Sequence, residues 1–337
     1  GNLLSSTHSE QDNLASLLAQ TLPQTRGRSA VRVEAADNSG LAAVAEAYRL
    51  VSSGAASTVL VVGVEKMTEF PSAMVMRALA HSCHAQYELV YGATPAGIQA
   101  LLMRLYMGVF GVDRDALSSW PVLMHDNAAD NPYAQLRFRV SKEQVASSMV
   151  IADPITLLDS SPVGDGAAAV VLASEEEARS QTDTPVEIAS VAHATDTLGI
   201  TGREDPLVLM ALEAASRRAY EEAGISVENI DVLEIHDTTT IMGILELEAL
   251  GLAPRGRAAA MLDEGRFAPG DRPSVNLSGG LKARGHPVGA TGVYQAAEIA
   301  MQLRGDFPGR KAPSPETGVA AGLGGSGATA IVVVMRR

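Results

Sequence analysis

An α/β fold built from two similar halves is what this sequence predicts, and three features carry the prediction. Between Arg32 and Val64 a strand-like VRVEAA runs through a DNSG turn into an Ala-rich helix over Leu41 to Ser53 and then the β-branched strand TVLVVGV. The C-terminal region repeats that order: PSVNLSGG leads into Gly-rich KARGHPVGATG, a helix from about Val293 to Leu303, and strands GVAAG and ATAIVVVM. Such strand–helix–strand units favour parallel, helix-covered sheets, and two of them suggest a duplication. The third feature is size and composition: 337 residues, 46% hydrophobic, 19% charged and 4% aromatic. That supplies a large aliphatic core and allows roughly two domains.

The stretch from Glu65 to about Val150 breaks the rhythm. It holds four of the seven tyrosines and a Met-rich helical segment from Thr94 to Val109, and reads as an inserted loop domain. GDGAAAVVLAS follows as a buried strand by its unbroken small apolar run, and TDTPVE as a linker. A helix over Pro206 to Ala223 stops at Gly224, a good C-cap residue. IDVLEI is a strand whose end delivers HDTTT to a helix over Ile241 to Leu250. Residues 1–64 with 151–182 thus make the first half, 65–150 the insertion and 183–337 the second half. Polar residues at strand ends are where open α/β sheets build sites.

Charge and composition narrow the function. With 26 basic against 39 acidic residues the formal net charge is −13, which repels nucleic acid and anionic membrane surfaces. The longest apolar runs, Thr58 to Val64 and Ala330 to Met335, fall far short of the ~20 residues a membrane helix needs. A single cysteine, Cys83, leaves no disulfide framework and no four-cysteine zinc site, so a cytoplasmic location is expected. The start at Gly1 has no leader pattern, and an upstream piece is expected to be missing. His81, Cys83 and His84 are spaced like metal ligands but lack a distant partner, so they read as solvated loop and no metal is expected. The methionines and Tyr106 at helical spacing read as core.

Four stretches stand at turns between elements: EAADNSG (Glu34 to Gly40), HDTTT (His236 to Thr240), NLSGGLKARGHPVGATG (Asn276 to Gly292) and GLGGSGATA (Gly322 to Ala330). With EKMTE, DNAADNPYAQ and SPVGDGAAAVVLAS, they resemble the thiolase superfamily over essentially the whole chain, most closely its archaeal-type and sterol-carrier-protein-type members. The glycine-framed Gly-His-Pro stretch is the specific signal. The family's first strand and helix have no counterpart here. The resemblance implies a five-layer αβαβα fold with a loop domain and a homodimer or homotetramer. It also implies acyl-CoA thioesters as substrate, no tightly bound cofactor, and Claisen chemistry. A small OB-fold, zinc-ribbon protein is the partner that archaeal-type relatives imply.

Such chemistry needs a group to hold the acyl unit, a base for an α-proton and donors for developing oxyanions. By resemblance, His286 is the glycine-framed histidine and His236 the residue of the oxyanion-hole water, while the amides of Asp37 and Gly324 form a second oxyanion hole. The nucleophilic cysteine's place is taken by Asp37, and the two places for an acid/base cysteine by Thr238 and Gly322. Thr238 and Tyr294 remain as acid/base candidates, Tyr294 because a phenol near His286 offers a proton. An acyl group on aspartate is a mixed anhydride that water destroys. The expected centre is therefore Asp37 as general base with His236 and His286, making or breaking a C–C bond beside a thioester without a cysteine. The alternative is a catalytically silent subunit that binds acyl-CoA or a partner. Blander roles stay open: Asp37 as a helix cap, and His236 and Asp237 as strand-end polar residues.

Overall fold

The computed structural model describes all 337 residues, Gly1–Arg337. Nine strands form in chain order: β1 (Thr58–Glu65), β2 (Val150–Ala152), β3 (Ile155–Thr156), β4 (Gly166–Ala173), β5 (Glu187–Thr195), β6 (Val232–Glu234), β7 (Ser274–Val275), β8 (Thr317–Gly324) and β9 (Thr329–Arg336). β1 and β4 pair antiparallel, from Thr58 opposite Ala173 to Glu65 opposite Gly166. A five-stranded sheet has the order β5-β9-β8-β6-β7, with β6 parallel to β7 and β8 and the other pairs antiparallel. The β2–β3 pair is a short hairpin just past the expected end of the insertion.

The helices that position the site are α1 (Ser39–Ser52), α2 (Pro95–Phe110), α3 (Ser119–Ala128), α4 (Met210–Ala223), α5 (Thr240–Ala249), α6 (Gly280–Arg284) and α7 (Val288–Arg304). α1 and α7 lie together between the two sheets, while α4 covers the far side of β5 and β9. Leu41, Val44, Ala45, Val293 and Ile299 fill the space between the sheets with Val61, Ala320, Ile331 and Val333. The two central helices touch backbone to backbone. A Cβ on Gly292 would lie 2.1 Å from the Leu41 amide nitrogen, and one on Gly40 would lie 2.8 Å from the Gly289 carbonyl oxygen. No helix is long and apolar enough to cross a membrane.

Most expected elements form, with shifted edges. The helix expected from Val293 begins at Val288, the one expected from Pro206 begins at Met210, and Gly224 ends it in the left-handed region at φ +63°. The insertion is largely helical, and Tyr106 is core, its hydroxyl donating to Glu248 at 2.6 Å. Two expectations need correction. Arg32–Glu34 is not a strand, because no strand lies alongside it; the Arg32 guanidinium instead binds the Leu3 carbonyl at 3.1 Å. β4 is not buried on both faces: its inner face packs on α7, but Val171 on the outer face is 65% exposed, beside Leu60 of β1 at 42%.

Candidate active site

The first component is the tight turn that opens α1. Ala36 takes a left-handed backbone at φ +52°, and the Ser39 hydroxyl holds the turn by accepting from the Ala35 amide at 3.0 Å and donating to the Ala36 carbonyl at 2.6 Å. Asp37 projects from this turn as a half-buried residue, with Oδ1 shut off from solvent and without a partner. The helix makes no side-chain cap bond at its N-cap residue, Asn38, and Asp37 supplies none. The cap role for Asp37 therefore has no bond behind it.

The second component follows β6. Asp237 is a structural tie: it accepts from the Leu281 amide at 2.7 Å, Asn276 Nδ2 at 2.9 Å and Trp120 Nε1 at 3.0 Å. The His236 amide donates to Glu246 of α5 at 2.8 Å. With its backbone held this way, the buried His236 ring points both nitrogens at no protein partner. Thr238 faces the insertion, where Gln99 Nε2 of α2 donates to its hydroxyl at 3.2 Å.

The third component is the Gly-His-Pro turn between α6 and α7. Gly285 sits at φ +115°, where a side chain would be strained, and a Cβ there would meet Gln135 at 2.9 Å. His286 Nδ1 lies 2.8 Å from the Thr291 hydroxyl, which itself donates to the Pro287 carbonyl at 3.1 Å. With the hydroxyl proton spent on that carbonyl, the threonine oxygen accepts from Nδ1–H, so the Nε2 lone pair is the free one. The DNAADNPYAQ stretch braces the loop from behind. Asn131 Nδ2 donates to the Ser278 carbonyl at 2.8 Å, and the Gln135 amide to the Arg284 carbonyl at 2.9 Å.

These three turns converge. One donor atom each of Asp37, His236 and His286 lie within 4.8 Å of one another, and the two imidazoles meet edge to face with centroids 5.1 Å apart. Gly324 at the end of β8 packs on the Asp37 turn so closely that a Cβ would lie 2.8 Å from the Ala35 carbonyl oxygen. Gly322, two residues earlier, accepts from Asn38 Nδ2 at 2.9 Å. Tyr294 is a different matter: its ring carries the Arg284 guanidinium, 4.8 Å from the centroid, and no hydrogen bond joins it to His286.

Burial sets the charges. Desolvation, then the carboxylates of Glu65 and Glu34, push the Asp37 carboxyl up to about 7. Desolvation and the nearby Arg284 cation push His236 down to about 3, and the same two causes with the His236 ring hold His286 well below its usual value. The centre at neutral pH is thus two uncharged imidazoles beside one carboxyl near its midpoint. These three side chains are also the donor set that would hold a metal. Ligands at about 2.1 Å from an ion span at most roughly 4.2 Å, so a spread of 4.8 Å requires the set to close first. Cys83 is buried in the turn after the Ser72–Leu79 helix, its thiol pushed up to about 11 by burial, and forms no such cluster with His81 and His84.

Sequence reasoning missed Thr291, Asn38, Glu65 and Arg284 as parts of this site. All four lie inside the quoted motifs, but their roles depend on which distant groups the fold brings to them.

Comparison with known proteins agrees with this architecture. Residues 1–176 match the family model "Thiolase, N-terminal domain", and residues 192–337 match "Thiolase C-terminal domain-like". The chain is 39% identical over 338 residues to the acetyl-CoA acetyltransferase of Methanothermobacter thermautotrophicus, covering 100% of this chain and 87% of that one. It is 32% identical to the benzoylsuccinyl-CoA thiolase subunit BbsB of Thauera aromatica, over 88% of this chain and 76% of that one. In fold it is similar to a chain of the Ltp2-ChsH2(DUF35) aldolase structure, with a TM-score of 0.77 at 22% identity over 89% of this chain and 78% of that one. On both family models and on the likeness to the acetyl-CoA acetyltransferase, the chain belongs to the thiolase superfamily.

Proposed function

We propose that this thiolase-family chain acts on acyl-CoA thioesters and makes or breaks the C–C bond next to the thioester through an enolate, without a cysteine nucleophile. The observation that carries the reading is the meeting of one carboxyl and two uncharged imidazoles within 4.8 Å where the three motif turns converge. Support for the substrate class comes from the names of the relatives, an acetyl-CoA acetyltransferase and a benzoylsuccinyl-CoA thiolase subunit.

Asp37 takes the place of the nucleophile and serves as general base. In the cleavage direction its carboxylate removes the proton of a β-hydroxyl. The O–H electrons form the new carbonyl as the Cα–Cβ bond breaks, and the released pair becomes the thioester enolate. Its oxygen faces an N–H of His236 and the amides of Asp37 and Gly324, which offset the developing charge. His286, with Nε2 unprotonated, accepts a hydrogen bond from the acid form of Asp37 and keeps that proton in the site. Asp37 then returns it to Cα, which closes the balance. In the joining direction the same base removes the α-proton. Thr238 and Tyr294 stay secondary, since Gln99 and Arg284 already engage them.

The chain is proposed to self-associate through β1, as homodimer or homotetramer, and to work beside a small OB-fold, zinc-ribbon protein; the similar aldolase structure, Ltp2-ChsH2(DUF35), supports a second component. Intact mass after incubation with acetyl-CoA tests the central claim: no covalent acyl-enzyme is expected. In D2O, the α-protons of an acyl-CoA are expected to exchange for deuterium, followed by NMR, and Asp37→Asn is expected to stop exchange while CoA still binds. A stable adduct overturns the cysteine-free reading. CoA binding with neither exchange nor turnover supports the silent subunit instead.

A further inference from the structure

Asn38 occupies the N-cap of α1, where an asparagine ordinarily spends its side-chain oxygen on the free amides of the first turn. It makes no such bond. The buried carboxamide turns instead to β8, where Nδ2 donates to the Gly322 carbonyl across 284 residues of chain, and Oδ1 is left without a partner. The same side chain fills the space beside the Gly322 Cα. A Cβ there would lie 2.1 Å from Asn38 Oδ1 and 3.1 Å from Leu41 Cδ2. Gly322 has no left-handed backbone, so conformation does not demand a glycine at this position. Asn38 does. Two residues on, Gly324 packs against Ala35 of the same turn, so β8 grips both sides of Asp37.

We infer that Asn38 is a positioning residue, which ties the Asp37 turn to the end of β8 and fills the space a side chain at position 322 would need. The centre is thereby committed to one carboxyl as its acid and base, with no second acid reaching in from β8. The packing half of this inference stands on its own; the catalytic half rests on the proposed reaction.

Thermal unfolding of the full chain decides the packing half. Gly322→Ala is expected to lower the melting temperature sharply, whereas the same change on top of Asn38→Ala costs little, because the obstructing carboxamide is gone. If Gly322→Ala alone fails to fold, a double variant that folds demonstrates the same relief. Additive losses, or a double variant no better than Gly322→Ala, overturn the interlock. Deuterium exchange at Cα of an acyl-CoA, followed across pH, decides the positioning half. Asn38→Ala is expected to exchange about 10- to 100-fold more slowly, with its pH midpoint moved, a shift that a smaller folded fraction does not produce. A wild-type rate and an unmoved midpoint overturn the role. Wild-type protein that never exchanges counts against the proposed reaction, and the unfolding comparison still decides the interlock.

Discussion

The Asp37 carboxyl holds its proton until about pH 7, because burial and the charges of Glu65 and Glu34 oppose ionisation. A base of that kind gains activity as pH rises, so exchange or turnover is expected to climb between about pH 6 and 8, with His236 and His286 uncharged throughout. An ascending limb near pH 4, where an ordinary aspartate titrates, would assign the base elsewhere. The same shift acts on stability with a definite sign. Between the unfolded value near 3.8 and the folded value near 7 the folded chain binds more protons than the unfolded one, so stability is lost as pH rises through that window. Asp37→Asn is therefore expected to be inactive yet more stable than wild type at pH 8, by on the order of 1–3 kcal/mol, with no gain at pH 4. Denaturant unfolding at the two pH values checks this. Thr291→Val removes the acceptor that fixes His286 Nδ1–H; about tenfold slower exchange is expected, with the changed tautomer seen in 15N NMR. Asp37, His236 and His286 were legible in the sequence because each stands in a short local pattern. Thr291 was not, since the same residue on a helix's first turn is ordinarily a backbone-bonding hydroxyl.

The central helices bring Asp37 and His286 together, and their approach depends on Gly292. A Cβ there would meet the Leu41 backbone nitrogen at 2.1 Å, an obstacle that no rotamer change relieves. Gly292→Ala is thus expected to push α1 from α7, costing about 3 kcal/mol or more and widening the gap between the two catalytic candidates. Urea unfolding reads the first effect and loss of exchange the second. Helices were the most legible elements, since an Ala-rich run with a stop signal is local information. Arg32–Glu34 shows the limit: strand-like residues become a strand only beside a partner, and no partner strand lies there. β4 shows another, because a run of alanine and valine reads the same whether one face or both are covered; its alternating exposure belongs to the packing.

For the whole molecule, the repeated order of helix then strand, α1 into β1 and α7 into β8, was visible in the sequence, but the opening strand expected for the first copy does not form, and the meeting of the two copies through α1 and α7 was not read from it. That meeting is also why the site lies in the interior while the small sheet stays open on one side. β1 pairs with β4 along one edge, and along its other edge the Gly1 amino group donates to the Val62 carbonyl at 2.8 Å, the Gly1 carbonyl accepts from the Val64 amide at 3.1 Å and Asn2 Nδ2 donates to the Val64 carbonyl at 2.9 Å. The stretch from Thr58 to Val61 is apolar and uncharged, without the edge-protecting charges of a strand that stays unpaired. A net charge of −13 opposes association at long range, so the self-association proposed above would rest on local apolar contact. Light scattering at micromolar concentration is expected to give a mass of at least twice 35.1 kDa. Leu60 points away from the core of its own chain and is 42% exposed, so Leu60→Lys leaves the monomer's packing in place while setting a charge on the exposed face of the pairing strand. The variant is expected to keep its melting temperature within a few degrees and to scatter as a monomer. A wild type that is monomeric, or a Leu60→Lys variant that associates unchanged, would move the contact away from β1.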